Sequence, residues 1–487
     1  MTAEGSLGAS FIPIFTGYLH NRSAAEAWEL GRKVFWDLAV VLAVVAVAGA
    51  VFSKQIIGAL TSFGGGSARW ALAVSLNRVL ILVILFIGLA ALASAILNSL
   101  QVFGLPAATS VFFNLVFLAF SFGVIYRPIM RWAPPHLRTP AIALAIGVLI
   151  GGIVQLGSQI PALIRRGMKF LPTISLADPG VRRVGQLMGP SFFGMGVYQV
   201  NLFVDTIFAT STRMPTGSVA SLYVADRVMQ LVLGSYAIAM STALLPAMSQ
   251  QAAAGKWEEM KRTMAFSLRI VSFITIPAAV GLILLRRPIV QVLFQHGQFI
   301  AQSTALTAHA LFFYSLGLPA FAAIKLVAPM YYSIQDTMTP ARIGAYALGM
   351  NFVLNAAFLF FFFRTLSNAG PALASSLAAY FNFGALLFVF RKRHGRLGLR
   401  GIAASLSKTA VCAIAMACVP ILILRWPHFL VARHVLEQAL QLAAVILAST
   451  AVYFSVARLL KCEELSEFWL LLRRTEPQPA ALNEGAI

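Results

Sequence analysis

Residues 244–262 read LLPAMSQQAAAGKWEEMKR, and they can be laid on residues 11–29, FIPIFTGYLHNRSAAEAWE, so that Pro246 falls over Pro13. Two further pairs keep this shift of 233 positions to within one residue: Gly297 with Gly64, and Pro340 with Pro106. Each match alone is weak, because proline and glycine interrupt the pattern of any loop. Three matches in one register indicate an internal repeat, and a repeat decides the architecture of a chain.

The repeated sequence is apolar throughout. Of the 487 residues, 59% are hydrophobic and only 11% are charged, whereas a soluble domain carries about 25% charged residues. This composition predicts an integral membrane protein without a separate soluble domain. Apolar runs long enough to cross a bilayer predict thirteen helices, at roughly 7–20, 34–57, 72–100, 106–131, 140–161, 187–211, 219–246, 263–286, 303–332, 340–363, 370–390, 405–424 and 434–457.

A repeat that holds six spans is even in helix count, so both copies cross the membrane in the same direction, as in parallel transporter repeats. The register places the partner of the span at 187–211 before Met1 and the partner of the span at 219–246 across Met1, so we expect the first copy to lack a helix and a half. The predicted organisation runs in this order: an N-terminal lobe over 1–161, a cytoplasmic linker over 162–186, a C-terminal lobe over 187–392, a helix pair over 405–458 and a cytoplasmic tail over 459–487.

The charge of the chain is strongly positive, at +21. Because its cations concentrate in short loops on alternate sides, they follow the positive-inside rule and do not indicate nucleic-acid binding. Most of the 37 Lys and Arg residues fall on one side if the loop at 20–33 is cytoplasmic. This bias predicts a multi-pass membrane protein whose C-terminus is cytoplasmic.

A charged residue inside a predicted helix costs about 2.5–3.5 kcal/mol on insertion scales, so it needs a partner or a function. Arg269 lies two turns into its helix, and we expect either a guanidinium that binds phosphate in a water-filled cavity or an ion-paired structural arginine. Asp226 and Arg227 are adjacent and point about 100° apart, so a structural salt bridge and a substrate contact stay open for each. Lys325 precedes Pro329, where it either binds carbonyls freed by the proline or contributes cavity charge.

A group of polar residues in three predicted helices has the chemistry of a small-cation site. Asp205 is the acid of its helix, Asn351 and Asn355 share one helix face, and Ser375 and Ser376 open the next span. Such oxygens suit Na⁺, although polar side chains that bond helices together are commoner. No catalytic constellation, metal-ligand spacing or P-loop is present in the sequence, so we expect a transporter, not an enzyme, driven by Na⁺, H⁺, membrane potential or a downhill gradient, without a cofactor.

Several stretches stand out together, in this order: AEGSLGASFIPI, AILNSLQVFGLPA, FLPTISLADPGVRRVGQLMGP, YVADRVMQ, LLPAMS, LFQHGQF and KLVAPMYYSIQDTMTP. They resemble the MurJ (MviN) lipid II flippases of the MOP exporter superfamily, in that family's order, over most of residues 3–342. The two most specific stretches are LFQHGQF and KLVAPMYYSIQDTMTP. From residue 405 onward the chain matches this family mainly in pattern.

The resemblance implies an all-α polytopic membrane protein of fourteen helices, of which about thirteen are present. Twelve would form two parallel six-helix lobes around a cationic cavity, and the last two would line a groove for a polyprenyl tail. The implied activity carries undecaprenyl-pyrophosphate-linked disaccharide-pentapeptide, lipid II, to the periplasmic leaflet for peptidoglycan synthesis. Lipid II and membrane lipids would be its partners, and the cell-wall synthesis machinery is a further expected one.

The resemblance also assigns residues. Arg269 falls on a cavity arginine that would bind the pyrophosphate, and Glu4 falls on the acid of the AEG motif. The family's sodium site maps onto Asp205, Asn351, Asn355 and a hydroxyl near Ser376, and Asn355 stands where an acid can occur. The absent helix and a half would carry several further cavity arginines, so two alternatives stay open: an exporter of another polyprenyl-linked glycan or a drug, and a truncated, non-transporting remnant.

Overall fold

The structure is a computed structural model that describes residues 11–465 except 13, 20–21, 62–65, 101, 123–138, 176, 335, 337, 396–397, 427–428 and 430–433. Within these residues the chain is helical and contains no strand. Ten of the described helices, or pairs of consecutive helices, are long and apolar enough to cross a membrane. The predicted all-helical membrane fold is therefore confirmed.

The chain divides into two compact units, Met1–Gln199 and Val200–Ile487. The first unit holds α1 (Ala24–Val51), α2 (Ser53–Leu60), α3 (Ala68–Leu80), α4 (Val83–Ser99), α5 (Gly104–Ser121), α6 (Pro140–Gly157), α7 (Ile160–Arg165) and most of α8 (Pro179–Ala209). Its core gathers apolar residues of α1 and α4 with Phe11 and Phe15.

Helix starts in the first unit carry the expected capping residues. Ser23 accepts from the backbone N–H of Glu26 at the start of α1, and Ser67 does the same for Trp70 in α3. Thr139 caps α6, whose first residue is Pro140. Each side-chain oxygen satisfies a backbone donor that the helix itself leaves free, so these starts were readable from the sequence.

The segment between α7 and α8 is pinned to α1 by polar contacts. Asp37 of α1, which is 4% exposed, accepts from the backbone N–H of Ser175 at 2.9 Å. Lys33 of α1 donates to Asp178 Oδ2, also at 2.9 Å. Because Asp178 in turn accepts from the backbone N–H of Gly180, the same carboxylate holds α1 and the first turn of α8.

We expect this attachment to depend on pH. Its hydrogen bond with the Lys33 ammonium holds the pKa of Asp178 below its usual range; burial opposes this shift, and backbone N–H donors support it. A lowered pKa in the folded protein stabilises it above the unfolded pKa of about 3.9, and this stability is lost as the pH falls through the folded value.

Asp178→Asn should therefore lower the melting temperature in detergent at pH 7, at a cost of about 1–2 kcal/mol for a charged hydrogen bond. The difference from the wild type should shrink as the pH is lowered below about 4. Thermal melts across this pH series measure both effects. A difference between variant and wild type that stays constant down to the lowest pH would contradict this role of Asp178.

The second unit contains the end of α8 and the remaining described helices: α9 (Ser218–Ala253), α10 (Trp257–Phe294), α11 (Ala301–Ser333), α12 (Met338–Phe361), α13 (Phe363–Leu366), α14 (Gly370–His394), α15 (Leu399–Leu424) and α16 (Val435–Leu459). One further helical turn covers residues 463–465. The core of this unit is built mainly from α9, α10, α11 and α14. Prolines interrupt α10 and α11 without ending them, which neighbouring helices in a membrane protein make possible.

A glycine allows α11 and α14 to approach closely. A Cβ added at Gly317 would lie 2.7 Å from Ser376 Cβ and 2.8 Å from Phe321 Cε2, and it would also meet Ser376 Oγ. Small residues at such crossings let membrane helices pack backbone to backbone. Gly317 is thus required by packing and not by its backbone conformation.

Gly317→Ala should therefore destabilise the protein by about 1–3 kcal/mol through overpacking, which outweighs the gain of about 1 kcal/mol from the better helix former. Gly349→Ala is the matched control, since no heavy atom lies within 4 Å of the added Cβ in α12. Thermal melts of the two variants in detergent should move in opposite directions. Equal melting temperatures would refute the close approach.

Candidate functional site

The predicted cation residues of three helices meet in one buried cluster. Asp205 Oδ1 on α8 accepts from the side-chain amides of Asn351 at 3.1 Å and Asn355 at 2.8 Å, both on α12. Ser375 Oγ on α14 donates to Asp205 Oδ2 at 2.5 Å. The spacing of four between the two asparagines places both on one face of α12, and that face lies against Asp205.

The hydroxyl in the cluster belongs to Ser375. Ser376, the residue expected from the resemblance, instead donates to the carbonyl oxygen of Phe313 on α11 at 2.7 Å. Asn201 joins the cluster one turn before Asp205, because its side-chain amide donates to Ser375 Oγ at 2.7 Å. The sequence analysis missed Asn201, although its spacing of four from Asp205 was a signal that places both on one helix face.

The cluster has the donor set of a hard-cation site. Asp205, Asn351 and Asn355 are each at most 2% exposed, and their oxygens, with Ser375 Oγ, are ligands of the kind that hard cations take. Asn355 Oδ1 is buried and has no hydrogen-bond partner in the part of the chain that the structure describes. A buried acceptor without a donor is costly, so the residues present fit a small cation.

Arg227 and Asp226 on α9 point to different surroundings, as their adjacency predicts. Asp226 is 4% exposed and lies within electrostatic range of Lys325 on α11. The side chain of Arg227 is exposed, and its Cζ lies 4.8 Å from the ring centroid of Tyr223. Because the side chain is exposed, its N–H donors are available to an anion.

Arg269 on α10 is engaged by two acids that follow α16. Its Nη1 donates to Glu463 Oε2 at 3.1 Å and lies 3.9 Å from Glu464 Oε1. Glu464 is buried and accepts from Ser405 Oγ on α15 at 2.6 Å. The structure thus places the predicted pyrophosphate ligand in an ion pair, while Glu4, its predicted companion, lies outside the described residues.

A helical chain with ten candidate membrane spans in its described part, a buried acid–amide cluster and cations within its helices is, by class, a multi-pass membrane transporter. The family model of the lipid II flippase MurJ matches residues 1–439. The chain belongs to the MurJ family of lipid II flippases, which are transporters and not enzymes.

Individual relatives agree with this assignment. The chain is 34% identical over 429 residues to a probable lipid II flippase MurJ of Vibrio cholerae, covering 85% of this chain and 77% of that protein. It is 31% identical over 401 residues to the lipid II flippase MurJ of Burkholderia cenocepacia, covering 81% and 74%.

Solved structures show the same fold. A lipid II flippase MurJ in an inward closed conformation superposes with a TM-score of 0.74 at 25% identity, over 97% of this chain and 90% of that one. An inward-facing multidrug MATE transporter of the MOP superfamily gives a TM-score of 0.64 at 16% identity, over 84% and 89%. The MATE similarity concerns the fold alone.

Proposed function

We propose that this protein carries lipid II from the cytoplasmic to the periplasmic leaflet by alternating access. The observation that carries the proposal is the MurJ family match over residues 1–439, together with relatives named as lipid II flippases. Parallel-repeat transporters move substrates in this way. The membrane-embedded Arg and Lys residues suit an anionic head group better than a cationic drug.

We propose Arg227 as the residue that binds the pyrophosphate. Its guanidinium is exposed and stacked on Tyr223, so its planar fork is oriented before a phosphate arrives. The charge of Arg269 is already compensated by Glu463 at 3.1 Å, which weakens its attraction for a phosphate. Arg227 is therefore the better placed of the two arginines.

Coupling to a cation would involve the buried cluster around Asp205. We propose that Asp205, Asn351, Asn355 and Ser375 hold Na⁺, and that a Na⁺ gradient drives transport. Protonation of Asp205 and the membrane potential are the alternative driving forces. A bound cation would supply the positive charge that the buried carboxylate lacks. In its absence, the asparagine amides and Ser375 satisfy the same carboxylate.

The protein is a multi-pass protein of the inner membrane. We propose that its C-terminus is cytoplasmic, as the distribution of Lys and Arg indicates. We also propose that α15 and α16 hold the polyprenyl tail of the substrate. Contact with the enzymes of cell-wall synthesis is a further proposal, testable by co-purification from crosslinked cells.

The direct test is flipping of fluorescent lipid II in vesicles that contain the purified protein, read from the fraction of label that a membrane-impermeant reductant quenches. We expect the protein to flip lipid II. We expect it neither to flip a labelled phosphatidylcholine nor to transport ethidium. Flipping at the rate of empty vesicles would contradict the proposal and favour a non-transporting remnant. Ethidium transport without lipid II flipping would favour a drug exporter.

A further inference from the structure

Three helices of the second unit share a buried contact on one side of α10. Phe273 of α10 belongs to a cluster that also contains Cys412 and Met416 of α15 and Tyr453 of α16. The hydroxyl of Tyr453 donates to the backbone carbonyl of Phe273 at 2.6 Å. The face of α10 that carries Phe273 is therefore the face against which the last two helices pack.

Arg269 lies one turn before Phe273 and so on the same face. It bonds Glu463 and approaches Glu464, which Ser405 of α15 holds through a hydrogen bond. We call these four residues, Arg269, Ser405, Glu463 and Glu464, the C-terminal clasp. The clasp joins α10, α15 and the segment after α16 through charged groups.

The two acids of the clasp differ in how deeply they are buried. The Glu464 side chain is 5% exposed and that of Glu463 is 74% exposed. Removing one partner of a buried ion pair leaves an unpaired charge, which costs far more than a lost surface contact. The clasp therefore adds charged contacts to the apolar packing and the Tyr453 hydrogen bond that already join α10 to this helix pair.

We propose that α10, α15 and α16 move as one body during transport, fastened by the C-terminal clasp, and that Arg269 serves this fastening. The statement about movement rests on the proposed lipid II transport, whereas the fastening itself does not. Helices that carry the polyprenyl tail would then keep a constant relation to α10 while other elements change conformation.

Two native thiols allow a test. Cys412 on α15 and Cys462 after α16 are free thiols buried in the same cluster. In a Cys418→Ala background, a copper(II)–phenanthroline oxidant takes two electrons as the two thiols lose two protons and form a disulfide. We expect the disulfide to form and the cross-linked protein to flip fluorescent lipid II in vesicles at the rate of the reduced protein.

Two results would overturn the proposal. Flipping that stops on cross-linking and returns with dithiothreitol would show that α15 and the segment after α16 must move apart during transport. Failure to form the disulfide under oxidation would show that the thiols are not held together. A Cys412→Ala variant treated with the same oxidant controls for oxidation elsewhere in the chain.

A second measurement needs no transport, so it separates failure of the clasp from failure of the proposed function. The rate of disulfide formation should fall about tenfold or more in Arg269→Gln and in Glu464→Gln, since either change leaves a clasp charge unpaired. Arg269→Lys, which keeps the positive charge beside both acids, should retain much of the rate. The control is Arg213→Gln, since Arg213 stacks on Phe360 away from the clasp, and it should leave the rate of disulfide formation unchanged. An unchanged rate in Arg269→Gln would refute the clasp.

Discussion

Replacing Arg227 by alanine is expected to abolish measurable lipid II flipping. Removing the charged partner of a desolvated phosphate costs about 2–5 kcal/mol, which corresponds to a Kd for lipid II weakened about 30-fold or more. Arg227→Lys should give an intermediate affinity, because an ammonium keeps the charge but lacks the planar fork that pairs with two phosphate oxygens. Binding of lipid II to the purified variants and flipping in vesicles measure the two effects.

The matched control for this prediction is Arg213→Ala. Arg213 is also an exposed arginine over an aromatic ring, with its Cζ 5.2 Å from the centroid of Phe360, but it follows α8 and lies outside a helix. We expect it to flip lipid II as the wild type does. If Arg227→Ala flips lipid II at the wild-type rate, Arg227 does not bind the head group. If both variants lose activity equally, the loss reflects the net positive charge and not a specific contact.

Replacing Asp205 by alanine is expected to give the largest loss of stability. It leaves the buried amides of Asn351 and Asn355 and the hydroxyl of Ser375 without their shared acceptor. The amides keep acceptors within the cluster, Asn351 on Ser375 and Asn355 on Asn351, but the Ser375 hydroxyl loses the carboxylate that accepts from it. A buried donor left unsatisfied costs about 1–3 kcal/mol, and the cavity adds to this cost, so the melting temperature in detergent should fall. Asp205→Asn keeps the shape and removes only the charge, so it should fold better than the alanine variant.

The same variants test the cation proposal. The wild type should melt at a higher temperature in NaCl than in choline chloride, because a ligand that binds the folded state alone stabilises it. Asp205→Asn should lose this difference, and Ser376→Ala, which removes the neighbouring hydroxyl bonded to Phe313, should keep it. A wild type that responds equally to both salts would leave the cluster as a structural link between helices.

Much of the fold was predictable because long apolar runs in a sequence indicate membrane-spanning helices. The predicted span at 140–161, for example, corresponds to α6 and α7, and Thr139 and Pro140 mark its start. The breaks inside other spans were not predicted. The predicted helix at 34–57 is divided at Phe52, where α1 ends at Val51 and α2 begins at Ser53, because an apolar run does not show a short interruption of the hydrogen-bond ladder.

The sequence by itself determined that the chain forms apolar membrane helices, which family it belongs to and that Asn351 and Asn355 share a face, because these depend on composition, motif and helical period. Only the tertiary structure decided that Ser375, and not Ser376, meets Asp205, since adjacent helical residues point about 100° apart and the neighbours of α14 select one. It also decided that Arg269 is paired with Glu463, 194 positions away. No local pattern encodes such a contact, because it is set by how distant helices pack.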